Sequence, residues 1–344
     1  MNILEIKDLN MTFSTRGIAS IEHVHVLKNI DFKVEEGEIV GLVGESGCGK
    51  STLGKIIAGL YEKTSGKILF MGNDIDHTTL GEKRQYRKSV QFIQQDSYAA
   101  LNPAKTIYQS LYAPIKANNK KMKKTYIDEE VEKYVELVGL IPAEQFLSKY
   151  PHQLSGGQRQ RILIARVLSL KPKLIVADEP ISMIDVSMRL SILNLIASLN
   201  RDFKLSVVYI THDLSTVKYI VGDGKIAVMY LGEIIEVGSV NEVINNPRHP
   251  YTQALISSVP IPDPILERNK QPVLIKNMEV PDIKLRPTGC SFCDRCFYAD
   301  DECSKWSLQN TYTENHIVRC KNINLVKIYK RDYLENGENV NVEN

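Results

Sequence analysis

The strongest chemical signal in the chain is Gly44-Glu45-Ser46-Gly47-Cys48-Gly49-Lys50-Ser51. These residues fit the spacing G-x-x-x-x-G-K-S/T, in which glycines let the backbone fold tightly enough for successive N–H groups to face phosphate oxygens. Lys50 is placed to reach β- and γ-phosphates as a point charge, and Ser51 to hold Mg²⁺. A helix opening at Lys50 adds the positive end of its dipole.

Three further groups carry chemistry. Asp178-Glu179 closes the apolar run KLIVAD. Two acids at the carboxyl end of a buried strand, in a chain with a phosphate loop, make a magnesium and water site. Leu154-Ser155-Gly156-Gly157-Gln158 offers a serine N-cap with glycines behind it, a second place for an anion, although a plain capped helix start explains it as well. Five of the six cysteines lie between Cys290 and Cys320, spaced Cys290-x2-Cys293-x2-Cys296-x6-Cys303-x16-Cys320, with His316 nearby. In a reducing compartment that clustering predicts metal before disulfides. Four thiolates suit tetrahedral zinc, and C-x2-C-x2-C is the run of a ferredoxin.

A scaffold must bring these groups to bear. Residues 38–43 (EIVGLV) read as a buried strand feeding the loop, and Leu53, Ile56, Ile57 and Leu60 recur at helical spacing after it. Residues 173–178 and 205–211 read as further buried strands, the second followed by His212-Asp213. Residues 3–13 alternate, with Ile3, Glu5 and Lys7 against Leu4, Ile6 and Leu9. Phe13 ends that strand where an aromatic can stack on a base or simply join the core. Residues 14–25 are expected as a loop or hairpin tip and 26–34 as the next strand. Residues 67–70 and 89–93 read as short strands, the latter ending in Gln94-Gln95-Asp96, and 97–103 as loop. Residues 125–139 give the clearest helix, with Ile127, Val131, Tyr134, Val135 and Val138 on one face, a capping box at Thr125 and Asp128, and a stop at Gly139. Val186, Leu190, Leu193 and Ala197 mark another helix face. Residues 225–230 and 233–237 read as a hairpin around Leu231-Gly232. Strand–helix alternation up to about residue 215 predicts a parallel α/β sheet, the early strands an added antiparallel sheet, and residues 97–165 an inserted helical region.

The balance of 43 basic against 41 acidic residues, net +2, predicts no nucleic-acid footprint. The five lysines within residues 116–124 read as a solvated surface. No apolar run approaches the ~18 residues of a membrane span. The opening MNILEIKDLNMTF lacks a signal-peptide core, so a cytoplasmic place is expected, with any membrane role reached through a partner. The Asn/Glu-rich residues 331–344 are expected to be disordered.

Taken in order, the phosphate loop, Gln95, LSGGQ at 154–158, LIVADE at 174–179, Ser182-Met183-Ile184-Asp185 and His212 resemble the ATP-binding subunits of ABC transporters. LSGGQ separates that family from other phosphate-loop enzymes. Gln95 to Pro103, and Asn246-Pro247-Arg248-His249-Pro250-Tyr251-Thr252 with Ala254-Leu255 and Pro260, look like the oligopeptide, dipeptide and nickel importer group. Ser97 stands where proline is commoner, and Met183-Ile184 where Ala-Leu is; neither removes a catalytic side chain. The resemblance implies an α/β fold: a P-loop ABC ATPase core with RecA-like parallel and added antiparallel sheets, an inserted helical subdomain and a small Cys-rich appendage. The divisions it suggests are 1–240 for the ATPase domain, 241–330 for the extension and 331–344 for the tail.

The resemblance also implies roles. Phe13 would stack on adenine. Gly44, Ser46, Gly47, Cys48, Gly49, Lys50, Ser51 and Thr52 would hold ATP, with Ser51 and Gln95 on Mg²⁺ and Asp178 ordering its water shell. Glu179 would polarise the attacking water and His212 hold the γ-phosphate in line. Leu154, Ser155, Gly156, Gly157 and Gln158 would close over ATP on a second ATPase subunit, a paralogue or the same chain, with Asp185 in the D-loop. Two membrane permease subunits and, indirectly, an extracellular solute-binding protein would complete an importer at the cytoplasmic face of the membrane. Peptide is the expected solute, nickel or another metal chelate the alternative; a soluble ABC ATPase outside transport, or a redox-sensing module gating the ATPase, are competing readings. Similar chains carry cysteines matching Cys290, Cys296, Cys303 and Cys320, some holding a 4Fe–4S cluster. Cys293 is extra to that pattern and an alternative ligand, and zinc is the other metal considered.

Overall fold

A computed structural model of the chain describes residues 1–16, 21–76, 78–261, 263–270, 273–306, 311–313 and 316–329. Strands β1 (Asn2–Arg16), β2 (Ile21–Glu35) and β3 (Ile39–Val43) lead to helix α1 (Lys50–Ile57). Then come β4 (Ser65–Phe70), β5 (Asn73–Asp74), α2 (Leu80–Ser89) and β6 (Val90–Ile93). The stretch expected to be helical holds α3 (Ser97–Ala100), α4 (Ile107–Asn118), α5 (Lys124–Leu137), α6 (Glu144–Leu147) and α7 (Gly156–Leu168). Next are β7 (Leu174–Asp178), α8 (Val186–Phe203), β8 (Ser206–Thr211), α9 (Leu214–Val221), β9 (Lys225–Tyr230) and β10 (Glu233–Ser239). The C-terminal part adds α10 (Val240–Asn245), α11 (Pro250–Ser257), α12 (Pro264–Asn269), β11 (Thr311–Thr313) and β12 (His316–Val318). The chain forms two compact units, residues 1–10, 31–40 and 51–211, and residues 11–30, 41–50 and 212–344.

In the first unit β6, β7 and β8 run parallel, with Ile93 beside Ala177 and Asp178 beside Ile210. Every residue of β7 and β8 is buried, as in parallel strands covered on both faces. The antiparallel set β1-β4-β5 pairs Leu4 with Phe70 and Ile6 with Ile68. Asp8 is left-handed (φ 47°) and the register slips between Lys7 and Asn10, a bulge that keeps Leu9 buried although it is out of phase with Leu4 and Ile6.

Four local expectations need correction. Helix α1 stops at Ile57 and the chain turns at Gly59 (φ 67°), so Leu60 is exposed. Residues 97–100 are a helical turn capped by Asp96, which accepts from the N–H groups of Tyr98 and Ala99. Helix α5 begins one residue before Thr125, so no capping box forms there; Asp128 instead accepts from the Tyr108 hydroxyl at 2.6 Å. On α8 the inward face is Ile192, Leu193, Leu195, Ile196 and Leu199, while Val186 and Leu190 are exposed. The stop at Gly139 holds: it is left-handed (φ 77°) and Leu140 N–H reaches back to Val135.

In the second unit β3 runs parallel to β9, Val43 beside Val228. The hairpin β9–β10 turns through Leu231 (φ 39°) and Gly232 (φ 79°), the left-handed pair a two-residue turn needs. β12 extends this sheet antiparallel to β10, and β11 pairs with β12. β1 and β2 run on through 14–16 and 21–25, residues expected as loop; Thr12 with His25 and Ser14 with His23 form side-chain hydrogen bonds at 2.8 and 2.9 Å. The tip at 17–20 and the tail at 331–344 lie outside the described residues. Among the described residues no helix is long and apolar enough to cross a membrane.

Candidate active site

The phosphate loop lies in the second unit, between β3 and α1. Gly44 is dictated by space as well as by φ, and Gly49 by its φ. A Cβ on Gly44 would lie 2.1 Å from the Met229 carbonyl oxygen, and one on Gly49 (φ 103°) 2.9 Å from Leu27. Lys50 is buried, and its ammonium donates to the carbonyls of Gly44 at 2.7 Å and Glu45 at 2.8 Å. The loop thus already surrounds the cation that phosphate would take over. Cys48 is buried too, and burial raises its thiol pKa against the lowering effect of Lys50. Ser46, Gly47 and Cys48 help line a cavity of about 230 Å³, which residues 280–283 line as well.

Gln95, Asp178 and Glu179 lie in the first unit. The β6–β7 register sets residues 95 and 179 level past the strand ends, and Gln95 Nε2 donates to Glu179 Oε2 at 3.0 Å. Asp178 is buried. Glu179 is left-handed (φ 44°), costly for a residue with a Cβ, and is held there by its N–H to the Ile210 carbonyl and by the Ser182 N–H and hydroxyl on its own carbonyl. The acids fit a bound magnesium with its waters, as does the neighbouring Gln95 amide oxygen, which its own Nε2 bond to Glu179 orients. Ser51 is exposed on the first turn of α1, Thr52 next to it half-buried.

Ser155 caps α7. Its hydroxyl accepts from Gln158 N–H at 3.3 Å while Gln158 Oε1 accepts from Ser155 N–H at 3.0 Å, a full capping box worth about 1 kcal/mol. Gly156 and Gly157 leave room for the backbone of Met183 and the side chain of Met188, so the LSGGQ turn packs beside the Asp185 loop. Leu154 is buried and Asp185 exposed. In the second unit His212 is exposed, followed by Asp213 capping α9 through Ser215, and Phe13 is half-buried.

Residues 27–182 match the family described as ABC transporter, and residues 235–303 the one described as oligopeptide/dipeptide transporter, C-terminal region. The oligopeptide transport ATP-binding protein OppF of Haemophilus influenzae is 41% identical over 324 residues, covering 92% of this chain and 96% of the relative. The chain belongs to the ABC transporter family. The dipeptide transport ATP-binding protein DppF of Lactococcus lactis is 43% identical over 274 residues, covering 79% and 86%. A solved ATP-binding cassette, dimeric and bound to ADP and Pi after hydrolysis, superimposes with TM-score 0.61 at 28% identity, over 69% of this chain and 98% of that one. The ABC ATPase core therefore has the expected α/β phosphate-loop fold and hydrolyses ATP, taken up with Mg²⁺. Cassettes of the family dimerise and work with membrane permease subunits.

The five cysteines between Cys290 and Cys320 all lie in the second unit of this ABC ATPase. Cys293, Cys296, Cys303 and Cys320 are buried and Cys290 half-buried. Among the described residues no three His, Cys, Asp or Glu side chains converge closely enough to hold a metal ion. The donor set still suits one. Backbone N–H groups of Phe292, Tyr298 and Asn322 point at the sulfurs of Cys290, Cys296 and Cys320. The Asn322 amide lies 3.6 Å from Cys303 sulfur. Donors aimed at sulfur favour a thiolate, whereas burial first, with the neighbouring cysteines, pushes the Cys320 thiol up to about 12, and burial with the Asp294 carboxylate raises that of Cys293 to about 11; a bound cation would favour the thiolate. Cys293 departs from this arrangement, its thiol donating to Asp294 at 3.4 Å.

Sequence reasoning passed over three residues here. Glu45 stood at a variable position of the loop. Tyr251 entered only through the importer-like linker, and Arg295 only as a spacer between cysteines. In the structure all three meet. Tyr251 is set by His249, whose Nδ1 accepts from Tyr251 N–H at 3.1 Å; burial lowers the His249 pKa to about 4, so the ring stays neutral and able to accept. Buried Glu236 accepts from the N–H groups of Arg248 and His249 and pairs with His316 Nε2 at 2.7 Å, which ties the linker to β10 and β12.

Proposed function

We propose that this chain is the ATPase subunit of an importer that takes up di- and oligopeptides. The observation that carries the proposal is the match over residues 235–303 to a C-terminal region named for oligopeptide and dipeptide transport, joined to an ABC ATPase core. The names of the relatives support it. In this reading residues 1–240 are the ATPase domain, with 97–165 as its helical part, and 241–330 the importer-type extension. The partners are two permease subunits, a second ATPase chain and, outside the membrane, a solute-binding protein; the chain works at the cytoplasmic face.

Lys50 and the loop amides bind and orient the phosphates, and Phe13 stacks on the base. Ser51, Gln95 and Asp178 would hold the magnesium and its waters, and the ion supplies neutralisation of phosphate charge. Glu179 takes the proton of the attacking water, and His212 steadies the γ-phosphate as its charge spreads. Ser155 and the glycines after it close over ATP on the partner chain, so nucleotide shuts the pair and hydrolysis reopens it.

Reconstituted with its permeases in vesicles, the ATPase should be stimulated several-fold by a peptide-loaded binding protein. Stimulation by a nickel chelate, with none by peptide, would transfer the reading to metal uptake. ATPase activity indifferent to both, with no permeases co-purifying, would point away from transport.

We infer further that Cys290, Cys296, Cys303 and Cys320 hold a 4Fe–4S cluster that pins the loop-rich extension, a structural role. Anaerobically purified protein should contain about four iron and about four acid-labile sulfide per chain. Cys293→Ser should keep both. About one zinc and no iron would make the site a zinc centre instead.

A further inference from the structure

Glu45, the first variable position of the phosphate loop, is gripped by groups from outside the loop. Its carboxylate takes both ends of the Arg295 guanidinium, Nη1 to Oε2 at 2.9 Å and Nη2 to Oε1 at 3.1 Å. Its backbone N–H donates to the Tyr251 hydroxyl at 2.8 Å. Arg295 is only 5% exposed, stands 5.7 Å from the Tyr230 ring and 5.6 Å from Phe292, and donates Nε to the Asn277 carbonyl. Its main chain is fixed among the cysteines: its N–H bonds the Phe292 carbonyl, Cys296 N–H bonds Cys293, and Cys296 bridges to Ile275. A fork-to-fork pair fixes direction as well as distance.

We propose that Arg295 is a positioning residue for ATP binding, which clamps Glu45 so that the phosphate loop keeps its receiving shape and so couples nucleotide affinity to the cysteine segment. Besides the loop's own Cys48 N–H on the Glu45 carbonyl, three side chains restrain the loop at Glu45: Lys50 on its carbonyl, Tyr251 on its N–H and Arg295 on its carboxylate. The first is given up when Lys50 turns to a phosphate. The other two remain, and both come from residues beyond the ATPase core. Arg295 is the one that links the loop to the cysteine run. The inference rests on the loop being the ATP site and is independent of which metal the cysteines take.

The test is a set of four full-length proteins purified anaerobically: wild type, Arg295→Met, Glu45→Gln and the double variant. Binding of a fluorescent ATP analogue and steady-state KM and kcat are read for each. Each single change should weaken binding and raise KM about tenfold while kcat moves by less than about threefold, the mark of a misplaced binding loop with its chemistry intact. The double variant should be no worse than the weaker single, because both remove one interaction. Arg295→Lys should recover only part, since a point charge does not span both oxygens. An unchanged KM in the single variants, or losses that add in the double, would overturn the clasp. Should Arg295→Met not fold, Glu45→Gln alone decides, because it leaves the cysteine segment untouched and must itself raise KM. A wild type that binds no analogue would sink the ATP reading of the loop, and the clasp with it.

Discussion

Glu179→Gln should bind ATP as the wild type does and hydrolyse it about 10² to 10⁴ times more slowly. The substitution conserves size, and an amide oxygen at position 179 still accepts from Gln95 Nε2, so the 3.0 Å bond that aims the side chain survives. The left-handed backbone at 179 and its bonds to Ile210 and Ser182 involve main-chain groups of that residue and are untouched. What is lost is the capacity to accept a proton from water. The defect should therefore fall on kcat, and ATP that is bound but not cleaved should hold two chains together, so that gel filtration with ATP shows a dimer persisting for longer than in the wild type. Hydrolysis at the wild-type rate would remove Glu179 as the base. Weakened binding at a normal rate per bound ATP would assign it a structural part only.

The residues of the glycine-rich loop at 44–51 were legible because the chemistry expected of such a loop fixes both type and spacing. Gly44 has no room for a Cβ against Met229, so the glycine is visible in the chain as well as in the fold. The strands were legible for a related reason: β7 and β8 are buried throughout and read as unbroken apolar runs. Helix α2 was missed because half of its residues are charged and it buries little besides Tyr86; its capping box of Thr79 and Glu82 was the signal to use. Val186 and Leu190 misled by lying at helical spacing on the exposed first turns of α8. Contacts between distant segments left no local pattern at all. Nothing in the spacing of Arg295 among cysteines announces a partner 250 residues earlier, and nothing in residues 311–318 announces strands that extend the sheet at β10.

Lys50→Ala should reduce ATP affinity by about 10² or more, through loss of a charge-assisted contact to the phosphates in a partly dry loop. It differs in kind from Glu179→Gln, since binding goes first and hydrolysis follows. The structure also gives the variant a second defect. Lys50 Nζ satisfies the carbonyls of Gly44 and Glu45, and deleting it leaves both without that donor inside the turn. The loop would then depend on Tyr251 and Arg295 for its shape even before nucleotide arrives. Lys50→Met separates the two effects from a simple cavity, because it fills the space without charge or donor; it should bind ATP as poorly as alanine does while melting closer to the wild type. Titration with the same fluorescent analogue, beside a thermal melt of each variant, reads both. Wild-type affinity in either variant would show that phosphate is bound elsewhere.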